Sequence, residues 1–264
     1  MINSKQRVLI KKDFRSVVSN KNLMTALIIV PLIFTVVLPT IFILAIAFTP
    51  DEMGDFEQLL EMLPASQQLG DMTRTMIGFL LNNIMPGFFA LIPIMASSIT
   101  AASSFVGEKE KRTLETLLYA PLTLSQIFQS KVLASFLLSM VISVLSFIAM
   151  IFVSELLIFF TLGSIVLPGI SWLFTILVVA PAVSLLAIVF IVGGSAKAQT
   201  MEESQQRTVF LILPLILLIG GQFSGIVLIN AWYLLALGTV IAIIAFILLK
   251  NYSKKFTYEL LLKK

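Results

Sequence analysis

The run from Leu23 to Phe48 reads LMTALIIVPLIFTVVLPTIFILAIAF and carries no charged residue. About 20 apolar residues suffice for a helix to cross the hydrocarbon core of a bilayer, so this stretch is long enough to span it. A basic segment precedes the run and Ala45-Ile46-Ala47 stands near its end, which is the outline of a secretion signal. The apolar part of such a signal is only roughly 7–15 residues long, so the run reads instead as a retained span.

Five further runs of spanning length follow: Met76–Phe105, Val132–Val153, Trp172–Val192, Val209–Ile229 and Trp232–Leu249. The second span is long enough to tilt or break, with Pro86-Gly87 and Pro93 as the places to do so. Leu156–Leu167 is too short to cross; it either extends the third helix or is partly re-entrant, and the Pro168-Gly169 turn closes it. Composition agrees, since 58% of residues are hydrophobic and 12% charged, against about 45–50% and 25% in soluble domains. The expected fold is all-α, a polytopic integral membrane protein with six transmembrane helices in one domain.

Charge orients these spans. With the N-terminus in the cytoplasm, 17 of the 18 basic residues fall on cytoplasmic segments and only Arg74 outside. Cytoplasmic loops carry an excess of Lys and Arg, and adding or removing one span would invert every later loop. Both termini are therefore expected inside. Around the spans lie a cytoplasmic segment 1–22, an acidic outer loop 49–75, a cytoplasmic loop 106–131, an outer or re-entrant segment 154–171, a cytoplasmic loop 193–208 and a tail 250–264.

The N-terminal segment places Ile10, Phe14, Val17 and Val18 on one helical face beside Arg7, Lys11 and Arg15, the pattern of an amphipathic helix lying at an anionic membrane surface. In the outer loop, Thr49-Pro50-Asp51-Glu52 has the form of a capping box, and Met53, Phe56, Leu60 and Leu63 repeat at helical spacing. Its acids (Asp51, Glu52, Asp55, Glu57, Glu61) either form a solvated face or attract a cationic substrate. The loop 193–208 opens on Gly193-Gly194-Ser195 and reads as flexible and polar, a second cytoplasmic contact.

Several function classes are excluded. The chain has neither cysteine nor histidine, which removes thiolate metal sites, HExxH metalloprotease chemistry and Ser-His hydrolysis. The basic residues flank apolar spans without interleaved aromatics, so no nucleic-acid partner is expected. No stretch matches GxxxxGK[ST], so the chain lacks that phosphate-cradling loop and is not expected to be an enzyme or to carry a cofactor. Ionisable groups at membrane depth would mark an ion-coupled transporter. The apolar runs hold essentially none, apart from Glu155 at the outer end of the third, which either reaches the head groups or serves as a gate. Hydroxyls are frequent: Ser97, Ser98, Thr100, Ser103 and Ser104 cluster at the inner end of the second span, and Ser135, Ser139, Ser143 and Ser146 follow one side of the third. Such residues either let helices pack closely or line a translocation path, for which Ser97, Ser98, Ser139, Ser143 and Gln222 are the candidates. Asn82, Asn83, Gln222 and Asn230 lie toward the outer side, where an exit would be wet.

The loop after the second span reads Gly107-Glu108-Lys109-Glu110-Lys111-Arg112-Thr113-Leu114-Glu115-Thr116-Leu117-Leu118-Tyr119-Ala120-Pro121, with Lys131 ten residues on. Glu108–Tyr119 is expected to be helical, broken before by Gly107 and after by Pro121, with Leu114, Leu117 and Leu118 on one stripe. Thr123-Leu124-Ser125-Gln126 is a second capping box, starting the third helix. This stretch resembles the G-E-K-E-x-x-T-L-E-x-L-L-x-x-P pattern that ABC-2 type permeases carry between spans two and three. The resemblance extends over the whole chain, with the NatB-like or peptide- and drug-exporting members nearest in shape. Arg112 stands where many members have Gly, and Ser130 precedes Lys131 where Gly is common.

That resemblance implies a permease subunit of an ATP-binding cassette exporter in a bacterial or archaeal cytoplasmic membrane. ATP and Mg would be held by a separate ATPase subunit, and a second permease chain would complete a homo- or heterodimer. Gly107, Glu108, Glu110, Lys111, Thr113, Leu114, Glu115, Leu117, Leu118 and Pro121 would form the coupling contact, with leucines in an apolar groove and charges setting register on its rim. The rival readings are an ion-coupled secondary transporter, which predicts buried acids and two similar halves, and a membrane scaffold or enzyme.

Overall fold

In the computed structural model, residues 3–48, 71–111, 113, 122–195, 198–224 and 230–255 are described. Every regular element among them is helical. A short helix α1 (Ser4–Val18) precedes α2 (Lys21–Phe48), α3 (Met72–Glu110), α4 (Leu124–Leu162) and α5 (Ile170–Ser195). Then come a short α6 (Met201–Gln206), α7 (Val209–Phe223) and α8 (Ala231–Lys255). Six helical stretches are long and apolar enough to cross a membrane: α2, α3, α4, α5, α6 with α7, and α8.

The helices outrun the apolar runs that announced them. The third helix begins at Leu124 because Thr123 accepts from the Gln126 amide (3.3 Å) while the Gln126 side chain accepts from the Thr123 amide (3.0 Å), a reciprocal cap. It ends at Leu162, where Gly163 (φ 60°) takes the left-handed conformation that glycine adopts without steric cost. Of the two readings of Leu156–Leu167, extension of the third helix is the one observed up to Leu162.

Three spans contain a π-helical turn: Ile33–Val37, Leu80–Ile84 and Thr175–Val179. Each ends two residues before a proline (Pro39, Pro86, Pro181). The residue before that proline donates five positions back, Leu38 to Ile33, Met85 to Leu80 and Ala180 to Thr175. A proline ring collides with the carbonyl four residues earlier and brings no N–H, and the widened turn makes room for it. The second span therefore carries its prolines inside one helical path.

That span, α3, is the centre of the bundle. Of its most apolar stretch 89% is buried, against 17% for the fifth and sixth spans. It packs against α5 and α4, and α5 in turn against α8. On one side Ile77, Leu80, Ile84, Phe89 and Trp172 form the largest core cluster, where the Trp172 ring meets Phe89 and Phe147 at 5.4 and 5.2 Å. Toward the other end Ala101, Ala102, Phe105, Phe128 and Ile188 form a second.

Two expectations are corrected. Gly193-Gly194-Ser195 is the last turn of α5 rather than the start of a loose loop. A Cβ on Gly193 would stand 2.5 Å from the Tyr252 hydroxyl, and one on Gly194 would stand 2.6 Å from Arg207 Cδ, so both glycines permit close packing. The buried face of α1 is Gln6, Leu9, Asp13 and Val17, with Val18 exposed. It is rotated from the apolar face expected because Asp13 finds partners inside the bundle. The expected outer helix at 49–63 lies outside the described residues.

Candidate functional site

Where α3 ends and α4 begins, four charged side chains meet. Asp13 and Lys12 come from α1, Glu108 from the last turn of α3, and Lys131 from the second turn of α4. Lys131 Nζ lies 2.7 Å from Glu108 Oε2 and 3.9 Å from Asp13 Oδ2, and donates to the Ser104 carbonyl. Lys12 donates to Glu108 Oε1 and sits 3.6 Å from Asp13 Oδ1. The Ser104 hydroxyl donates to Asp13 Oδ2 at 2.7 Å. The Lys131, Asp13 and Glu108 side chains are 4%, 7% and 10% exposed, and only Lys12, at 51%, reaches water. Lys131 also stands 5.6 Å from the centre of the Phe105 ring.

A buried charge is tolerated only when paired and hydrogen-bonded, and here each buried charge has at least two partners. Burial pulls the Lys12 pKa down, but its hydrogen bond to Glu108 and the charges of Glu108 and Asp13 outweigh that, leaving it above the ordinary 10.5. The cluster ties α1 to the end of α3 and the start of α4, the two helices on either side of residues 111–123.

The helix of α3 does not break at Gly107. A glycine inside a helix costs only about 1 kcal/mol relative to alanine, and the space its missing side chain leaves is taken by Met201 Sδ, 3.0 Å from where a Cβ would be. Glu108 and Glu110 therefore belong to the end of the span, where Glu110 Oε2 accepts from the Met201 amide at 3.1 Å and Lys109 Nζ donates to the Ala198 carbonyl at 3.3 Å. These bonds hold α6 against the end of α3. Lys111 closes the helix through its amide to Gly107, and Thr113 returns its amide to the Glu108 carbonyl at 2.9 Å. Leu114, Glu115, Leu117, Leu118 and Pro121 lie outside the described residues.

The hydroxyl candidates sit between helices of one chain. Ser97 is fully buried and bonds the Pro93 carbonyl at 2.6 Å. Ser139 meets Ser184 of α5 at 2.6 Å, Ser143 bonds the Ser139 carbonyl at 2.8 Å, and the Ser98 hydroxyl is buried without a partner. Gln222 is 2% exposed and donates to the Asn83 carbonyl at 2.9 Å. Near it the Trp172 indole donates to the Leu81 carbonyl at 2.9 Å, a group left free because Met85 donates to Leu80 instead. Asn82 accepts from the Gly169 amide at 2.6 Å. Of the residues expected at a wet exit, Asn82 and the Asn83 carbonyl with Gln222 thus join the π turn of α3 to the start of α5 and to α7, while the exposed Asn230 accepts from the Tyr233 amide at 3.1 Å and caps α8. Glu155 accepts from the Val166 amide at 3.2 Å and closes the turn after α4.

Sequence reasoning missed Asp13 and Lys12. The available signal was that Asp13 is the single acid among residues 1–22 and shares a helical face with Leu9 and Val17.

No curated protein matches the chain significantly. The ABC-2 type transporter family profile matches residues 4–232, which takes in α1, the charged cluster, the first five spans and the segment between α3 and α4. With six membrane-length helices around that arrangement, the chain belongs to the ABC-2 type transporter family and is a multi-pass membrane protein, the permease component of an ABC transporter.

Proposed function

We propose that this permease is the membrane half of an exporter in a bacterial or archaeal cytoplasmic membrane, driven by ATP that a separate ATPase subunit binds with Mg. Residues 111–121, which follow the buried Gly107 and Glu108, are the docking element. What supports this reading is the charged cluster. It binds the ends of α3 and α4 and the buried face of α1 into one unit on either side of that segment. Both termini and this cluster face the cytoplasm, in keeping with the excess of Lys and Arg on that side. The Leu114, Leu117 and Leu118 side chains fill a groove on the ATPase, and closure of two ATPase subunits on ATP pulls the α3–α4 unit. A second permease chain encloses the path.

The test is replacement of Leu114 and Leu117 together by Asp. The ATPase should no longer co-purify, while the chain still reaches the membrane in normal amount. Undiminished co-purification would show that docking lies elsewhere.

A further inference from the structure

Beside the charged cluster a cavity of about 460 Å³ opens between α1, α3 and α4. Its polar lining combines two lysines (Lys12, Lys111) and two acids (Asp13, Glu108) with hydroxyls that include Ser16 and Ser103, and the buried Lys131 behind them brings the charges to three cations against two carboxylates. An apolar groove of about 520 Å³ runs between α2 and α4, lined by Leu27, Ile28, Leu32, Val141 and Leu145 among others. Phe14 and Leu138 line both, so the two adjoin as a depression with a polar end and an apolar end. The groove follows α4 from Leu138 to Ala149, which at ~1.5 Å per residue is roughly 16 Å. One leaflet of a hydrocarbon core about 30 Å thick is roughly 15 Å deep.

The polar end has a sign. Asp13 and Glu108 are spent on Lys131, Ser104 and the inner side of Lys12. The exposed Lys111 (which forms no ion pair among the described residues), the half-exposed Lys12 with the ammonium hydrogens that Glu108 does not take, and the hydroxyls of Ser16 and Ser103 are the donors at the opening. We propose that the depression binds a phosphate-bearing lipid of the leaflet beside α1, its phosphate at Lys111 and Lys12 and one acyl chain along the groove. Every lining residue named here belongs to one chain, and the site does not depend on whether that lipid is cargo.

The experiment is native mass spectrometry of the full-length chain, together with any subunit that accompanies it. Its probes are phosphatidic acid, a diacylglycerol with the same chains, and inorganic phosphate. Phosphatidic acid should be retained, diacylglycerol should not, and millimolar phosphate should fail to displace the lipid. Lys111→Gln, at an exposed position where folding is safe, should lower retention roughly fivefold, the worth of one lysine near an anionic surface. Lys11→Gln on the exposed face of α1 should not. Leu138→Trp, which fills the junction, should abolish retention, and exposed Ile243→Trp on α8 should leave it intact. Equal retention of diacylglycerol, displacement by free phosphate, or equal responses to Lys111→Gln and Lys11→Gln would overturn the proposal and leave only lipid that surrounds any membrane protein.

Discussion

Replacing Lys131 by Met keeps the apolar stem and deletes the ammonium. Glu108 then loses its partner at 2.7 Å, Asp13 loses one at 3.9 Å, and the Ser104 carbonyl loses its donor. Removing one member of a buried ion pair costs about 3–5 kcal/mol, because the other charge is left uncompensated. Lys12 remains beside both carboxylates but is half exposed, so its compensation is partly screened and the lower end, about 3 kcal/mol, applies. For a chain of this size each kcal/mol moves the melting temperature by about 2–4 °C, giving a fall of roughly 6–12 °C. The assay is thermal unfolding of the purified chain in detergent, read by loss of helical circular dichroism. Lys131→Met with Glu108→Gln removes both charges and should recover much of the loss, so the double-mutant cycle should show positive coupling. A single variant melting within about 2 °C of the parent, or a double variant no better than the single, would refute the claim that these charges hold α1, α3 and α4 together.

The Lys12 pKa is raised above 10.5, so its stabilisation is present below that value and is lost as pH rises through the higher folded value. The stability gap between Lys12→Gln and the parent should hold constant from pH 7 to 9 and close only above 10.5, and a gap that closes between pH 7 and 9 would contradict this. Trp172→Phe keeps the ring but leaves the Leu81 carbonyl without its donor, which should lower stability by about 1 kcal/mol, as for other polar contacts between membrane helices; no change would mean that the carbonyl finds another donor. Because the native chain lacks cysteine, Cys at Glu57 or Ser66 should react with an impermeant thiol reagent on intact cells, and Cys at Thr116 or Gln199 only after permeabilisation.

The membrane architecture was legible because its causes are local. Twenty apolar residues in a row need lipid whatever their neighbours do, and the Thr123–Gln126 cap closes within four residues. The end of α3 was not legible. Gly107 reads as a break, and what keeps it helical is Met201, far along the chain, filling the missing side chain's place. Asp13 was similarly opaque: its hydroxyl partner is 91 residues away, so a helix with one acid among many bases looked merely interfacial. The π turns were not legible either, since Pro39, Pro86 and Pro181 each follow one while Pro31 and Pro214 sit in α-helix without one, and nothing local shows that Trp172 takes the carbonyl one of them frees. Gln222 and the buried serines were visible as polar groups in apolar helices, while their division between packing and passage depends on how helices face one another.

The central claim is that this permease draws its energy from another polypeptide, and the most direct test is the composition and activity of the complex it forms. The tagged chain is purified from its own membrane in mild detergent, its mass is measured, and ATP hydrolysis is assayed with and without the accompanying proteins. The account predicts two permease chains with two ATPase subunits, hydrolysis by the complex, and none by the permease stripped of its partners. A chain that purifies without an ATPase, or that hydrolyses ATP alone, would contradict it.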